Sequence, residues 1–163
     1  MKDKLKAFLF LIIICNIIMS IATTIFSICS NSYFNEYENL KSFNNKKLHM
    51  NDDFLLIDKV YQDSGPEGTN MYFDVEGIIL SDNSKVVLNV TKLEYLKENV
   101  EKQPLYKSKI TGDFFLKDAP KEYYNSEIRI FYFKIYLKFS FYLIIGVIMF
   151  FVIRHIKYRK YRI

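Results

Sequence analysis

Two histidines, His49 and His155, are the only imidazoles in the chain, and this bounds most of the chemistry it could do. Zinc sites and nucleophilic triads are built from histidine or from clustered thiolates. Neither histidine has a cysteine or a second histidine at ligand spacing, and no multi-carboxylate spacing accompanies them. The close acids are Asp52-Asp53 and Asp74 with Glu76. Carboxylates and tyrosines could serve as acid and base. Asp74 and Glu76, however, fall two apart in an alternating segment, which puts both on the solvent face of a strand as ordinary solvated charge. Ser64-Gly65-Pro66 offers a hydroxyl without a paired histidine and reads as a turn. Asn89-Val90-Thr91 fits the glycosylation acceptor pattern but lies inside a strand-like run. Calcium loops, phosphate-binding glycine loops and nucleophile elbows are missing. The expectation is a non-enzyme with no catalytic, cofactor-binding or metal-ligating residues and no cofactor.

The two cysteines, Cys15 and Cys29, both lie in one apolar run. Fourteen residues apart on a helix is about 21 Å, so they do not bond within the chain and read as packing or lipid-facing thiols. A lipidation site is disfavoured because Ile28 stands where a small residue is needed. The middle of the chain has no cysteine and so needs no disulfide framework.

Those sparse groups are held between two apolar segments. Ala7–Cys29 is 23 residues without a charge. As a helix it is about 34 Å long, against a hydrocarbon core of about 30 Å. A cleaved signal peptide is the competing reading, but the apolar core exceeds the usual length and no small-x-small cleavage site is convincing. Asn16 is its one strongly polar side chain, serving either a hydrogen bond to another helix or as a tolerated amide. The second segment has its apolar core at 139–153 and reaches 23 residues when extended back to Phe131. That extension takes in Lys134 and Lys138, whose long stems are expected to carry both ammonium groups to the headgroups. Tyr132, Tyr136 and Tyr142 suit the same interfacial zone.

Charge divides by region. Residues 1–6 carry +2, residues 7–133 carry −4 and residues 154–163 carry +5. The basic balance therefore belongs mainly to the tails, which argues against nucleic-acid binding. By the positive-inside rule both tails are cytoplasmic, against the local dissent of Lys134 and Lys138. The basic tail reads as a topology signal or as a contact with anionic lipid.

Between the helices, residues 30–50 are polar and read as a juxtamembrane helix or linker. Phe54–Tyr61 is a strand candidate, followed by a turn cluster at 62–68. Met71, Phe73, Val75, Gly77 and Ile79 alternate with polar residues, and so do Val86, Leu88 and Val90, with a hairpin loop at 81–84. Thr91-Lys-Leu-Glu94 matches a capping box, which predicts a short helix through Leu96 and Val100 that Pro104 stops. Leu105–Ile110 and Phe114–Leu116 are further strand candidates, and Ala119–Ser126 reads as a loop. The fold class is thus membrane α plus extramembrane α+β: two transmembrane helices flanking a small domain of four or five strands and one short helix. The boundaries are tail 1–6, helix 7–29, linker 30–50, extracytoplasmic domain 51–130, helix 131–153 and tail 154–163.

Val75-Glu-Gly-Ile78, the strand Lys85–Thr91 and Leu105-Tyr-Lys-Ser108 resemble small uncharacterised bacterial membrane proteins in which two helices flank a compact β domain. The resemblance covers roughly residues 54–110. The glycine and the tyrosine-aspartate-proline-like turn of one such family are absent, with Lys102-Gln-Pro104 in the glycine's place. It implies a layout and no activity. The expectation is a multi-pass protein of the bacterial plasma (inner) membrane, in contact with lipid, whose outer domain binds a protein partner, the envelope or a second copy of itself. The alternatives are an immunity protein against a membrane-acting toxin, or a small subunit of a transport or channel complex.

Overall fold

The structure, a computed structural model, describes residues 2–64, 70–97 and 102–160. Helix α1 (Lys2–Cys29) opens the chain, followed by α2 (Asn35–Asn44) and α3 (Lys46–His49). Five strands come next: β1 (Met50–Ser64), β2 (Asn70–Ile79), β3 (Lys85–Val90), β4 (Lys102–Ser108) and β5 (Phe114–Leu116). Helix α4 (Lys121–Lys160) closes it at 40 residues. Two long apolar helices thus flank a five-stranded antiparallel sheet of order β3-β2-β1-β4-β5. The chain divides into two units, 37–129 and the pair 1–36 with 130–163.

The sheet unit is built on β1, which pairs with β2 on one side and β4 on the other. Its register slips between Ile57 and Lys59, leaving Asp58 as the extra residue of a β-bulge. Before the bulge Leu55 and Ile57 face the core; after it the parity changes and Val60, opposite Val75, takes that side. Gly77 sits opposite Ile57, where a Cβ would come within 2.3 Å of the Leu56 carbonyl oxygen. Strand contact that close requires glycine.

Leu55, Val75, Ile79, Val90, Leu105 and Leu116 form the buried centre, closed over by Tyr95 and by Tyr123 from the first turn of α4. Tyr123 and Tyr124 also finish the short edge strand β5: the Leu116 N–H donates to the Tyr123 hydroxyl at 3.2 Å, and the Tyr124 hydroxyl donates to the Leu116 carbonyl at 2.8 Å. Burial raises both phenols, Tyr124 to about 12. The unfolded phenol ionises near pH 10. Both groups therefore contribute stability that is complete below pH 10 and lost as pH rises through the folded values. Denaturant titrations at pH 9, 10 and 11 are expected to show a flat and then a falling midpoint. The fall should be shallower in Tyr124→Phe; an identical slope in the variant would assign it to other groups.

Helix α2 packs on the turn between β4 and β5. The Asn39 amide donates to Asp113 at 2.7 Å and accepts from the Thr111 hydroxyl at 2.7 Å, while the Ser42 and Ser108 hydroxyls meet at 3.2 Å. Phe43 lies against Phe115 with ring centroids 4.8 Å apart. The residues read as a juxtamembrane helix or linker are thus helical over Asn35–Asn44 and partly built into the sheet unit.

Four expectations need correction. The helix read from Thr91 is only a 3-10 turn at Leu93–Tyr95, capped by Lys92 without a side-chain bond. Tyr95 must enter the core, and the Lys97 N–H is taken by the Gln103 side chain, so the backbone turns extended at Leu96; Val100 lies outside the described residues. Pro104 is not a helix stop but a buried residue in the middle of β4, which begins at Lys102 rather than at Leu105. The span at 119–126 is helical from Lys121, immediately after Pro120. Lastly, the strand at Phe54–Tyr61 runs from Met50 to Ser64 because it is paired on both sides.

Candidate functional site

The residues singled out for chemistry are scattered, and three of the acids are already engaged. Asp52 and Asp53 point to opposite sides of β1, as successive residues must. Asp52 pairs with Lys117 at 2.7 Å, and buried Asp53 accepts from the Ser81 hydroxyl at 2.6 Å. Asp74 accepts from the Asn89 amide, so the acceptor asparagine of the glycosylation pattern is tied to the neighbouring strand. His49 ends α3, His155 is exposed on α4, and the side chain of Ser64 is not described. Cys15 and Cys29 are free and exposed. Among the described residues no three His, Cys, Asp or Glu side chains converge. Asp82, bonded to Lys107 and to the Ser84 hydroxyl and N–H, is held below the usual carboxylate range.

Three arrangements are organised enough to act. The first is the sheet face turned away from the core. Phe54 and Leu56 of β1 and Val87 of β3 are exposed there, and Ile78 lies between Leu56 and Lys85 in the register. A groove of about 390 Å³ opens at the bulge beside Gly77, rimmed by Asp58, Glu76 and Lys85. Strand β3 borders it and has β2 as its only neighbour among the described strands. An apolar strip beside an unpaired strand edge is suited to an extended peptide: backbone pairing supplies affinity and the side-chain grooves selectivity.

The second is an aromatic cage. Lys46 Nζ lies 3.6 Å from the Tyr124 ring centroid and 5.4 Å from that of Tyr106, with Phe43 at 5.8 Å. Such rings attract ammonium ions. Here the cation comes from the chain itself, and burial lowers the Lys46 pKa. The cage therefore latches the start of α3 to the sheet.

The third lies in the helix unit. Lys138 is buried, contrary to the expectation that it reaches the headgroups with Lys134, which is exposed. Its ammonium donates to Glu36 at 2.5 Å and to the Tyr33 carbonyl at 2.7 Å, over the Tyr33 ring. A carboxylate within reach is better than a long path to water. Glu36 stands in a polar Asn/Glu/Lys stretch that looks merely solvated, so only the demand of a lysine in an apolar run could have singled it out. On α1, the Asn16 amide donates to the Tyr136 hydroxyl at 3.0 Å, which answers the open question about that residue. Ser20, Thr24 and Ser27 continue from Asn16 at four- and three-residue spacing as a buried seam of small side chains. Asn16 and Glu36 are twenty residues apart in sequence, yet their partners on α4 are Tyr136 and Lys138, so both contacts gather on one short stretch of that helix.

Searches with this chain matched no protein-family model, no curated protein and no solved structure.

Proposed function

We propose that the chain is a non-enzymatic, two-span protein of a bacterial plasma membrane whose sheet unit binds a protein partner or the envelope on the outer side. One observation carries the membrane part. Two helical stretches, Lys4–Cys29 and Lys121–Tyr158, are long and apolar enough to span, and only 11% of the apolar window of each is buried; residues 121–129 of the second belong to the sheet unit, so its spanning part is read from Ile130 onward. The core helix of a soluble protein would be mostly buried. These instead expose Phe8, Leu11, Phe26, Ile148 and Phe151, a surface that lipid covers without cost and water does not. The bond from Asn16 to Tyr136 and the buried Ser20–Ser27 seam support α1 as a retained element rather than a cleaved leader.

Charge, not the helix contacts, is what supports placing both tails in the cytoplasm: the flanking lysines and arginines obey the positive-inside rule at both ends. The exposed apolar strip and free edge of β3 support the binding role. Asn16 is occupied within the chain and so adds no support to a transport subunit.

The test begins from a chain with Cys15 and Cys29 replaced by serine. The protein is expected to resist alkaline carbonate extraction. Asn83→Cys should react with an impermeant maleimide in intact spheroplasts, and Lys4→Cys and His155→Cys only after lysis. Release by carbonate, or labelling of a tail in intact cells, overturns the placement. Val87→Lys, which puts the new charge opposite Glu76, is expected to abolish capture of a cross-linked partner while changing stability by less than about 1 kcal/mol. Undiminished capture would remove the sheet face from the binding role.

A further inference from the structure

Helix α4 does not stop where its apolar run stops. It continues as regular helix from Ile153 through the basic segment to Lys160. Arg154 and Lys157 are consequently three residues apart on one helix face rather than scattered along a coil. Phe150, Ile153, Arg154, Lys157 and Tyr158 line a common groove of about 360 Å³. Its floor is apolar at the Phe150 end and cationic at the Arg154 end. The Arg154 guanidinium stacks over the Tyr158 ring at 5.5 Å, which holds the planar donor fork in place beside Lys157. All five residues are exposed, and among the described residues no ion pair engages Arg154 or Lys157.

We propose that this groove is a site for one anionic phospholipid, its phosphate held by Arg154 and Lys157 and its acyl chain laid along Ile153 and Phe150. This rests on the membrane reading above and deepens it by naming the lipid class. The geometry matches the ligand's own boundary. A phospholipid changes from hydrocarbon to anion over the thickness of the interface, and the groove makes the same change within two turns of helix. Tyr158, an amphipathic ring, sits where such rings collect. Arginine offers a phosphate two parallel donors and lysine a point charge, so a phosphate between them is met from two sides. A zwitterionic headgroup brings its own cation to the same place and is held less well. Diffuse attraction of the tail to a charged leaflet would depend only on the number of charges, whereas a built groove depends on which charges are removed.

The experiment uses the full chain in nanodiscs of phosphatidylglycerol and phosphatidylcholine, with bound lipids counted by native mass spectrometry after release. Phosphatidylglycerol is expected to be enriched over phosphatidylcholine on the native chain. Arg154→Gln/Lys157→Gln should reduce that enrichment by about thirty-fold, because both charge-assisted contacts to the phosphate are lost together. Lys4→Gln/Lys6→Gln removes the same charge from the other tail and should leave the enrichment within about three-fold. Equal loss in the two double variants assigns the effect to diffuse charge and overturns the site, as does a native chain without preference. Full displacement of lipid by glycerol phosphate would reduce the groove to an anion site and also overturn it. Carbonate resistance measured on the same variants separates the two claims: a resistant protein without lipid preference sinks only the groove, and an extractable one sinks the membrane reading with it.

Discussion

Glu36→Leu is expected to destabilise the helix unit by about 3–5 kcal/mol, the range for stranding one member of a buried ion pair. The Glu36 and Lys138 side chains are 10% and 6% exposed, so neither recovers its hydration while the fold stays intact. Lys138 would keep the Tyr33 carbonyl and ring, which are dipolar partners and do not neutralise an ammonium. Glu36 has a second source of stability, since it stands in the first turn of α2 near the positive end of the helix dipole. Lys138→Met alone should cost about as much. The double variant Glu36→Leu/Lys138→Met should recover most of the loss, because removing both charges removes both desolvation costs. Unfolding in mixed micelles, followed by circular dichroism, gives the three free energies and their coupling. Single and double variants all within about 1 kcal/mol of the native chain would mean that water reaches the pair and that it contributes only as a surface bridge does.

Gly77→Ala should cost about 3 kcal/mol, at the upper end of the cost of overpacking. The added carbon would meet the Leu56 carbonyl oxygen at 2.3 Å and Leu55 Cδ1 at 2.7 Å. The second contact is a side chain that could turn away, but Leu55 is fully buried and has little space to do so. The first is backbone, held in the β1 ladder next to the bulge, and cannot move without opening the β1–β2 pairing. Gly112 makes a useful comparison. Its φ is +77°, and nothing lies within 4 Å of its Cβ position. Gly112→Ala therefore meets only local backbone strain and should cost about 1 kcal/mol, as a side chain in the left-handed region does. Chemical denaturation of both variants checks the order. A Gly77→Ala chain as stable as the native one would show that β1 and β2 do not approach this closely.

The same bulge shows where sequence patterns end. Strands β2 and β3 are legible because apolar and polar residues alternate, and the buried residues Val75, Ile79 and Val90 fall on the expected side. The hairpin at 81–84 is also legible: Asn83 adopts a positive φ of 54°, which asparagine tolerates. Strand β1 is not legible in the same way. Leu55, Leu56 and Ile57 are a continuous apolar run, and its extra residue, Asp58, is defined only by what β2 places opposite. Nor can local pattern show that Thr91 and Glu94 fail to form their box, since the deciding contacts are Tyr95 against Tyr123 and Lys97 with Gln103. Pro120 just ahead of α4 was a readable signal for a helix start.

Composition and periodicity alone determine that two long helices carry most of the apolar surface, that charge gathers at the ends, and that an alternating β segment lies between. These properties depend on neighbours a few residues apart and on the cost of wetting hydrocarbon, so they are written in one dimension. Tertiary structure alone decides that Lys138 is buried on Glu36, that Lys46 fills an aromatic cage, and that Gly77 must have no side chain. Each of those depends on which distant groups meet, and a desolvated charge or a close strand approach has no local signature until its partner is in place.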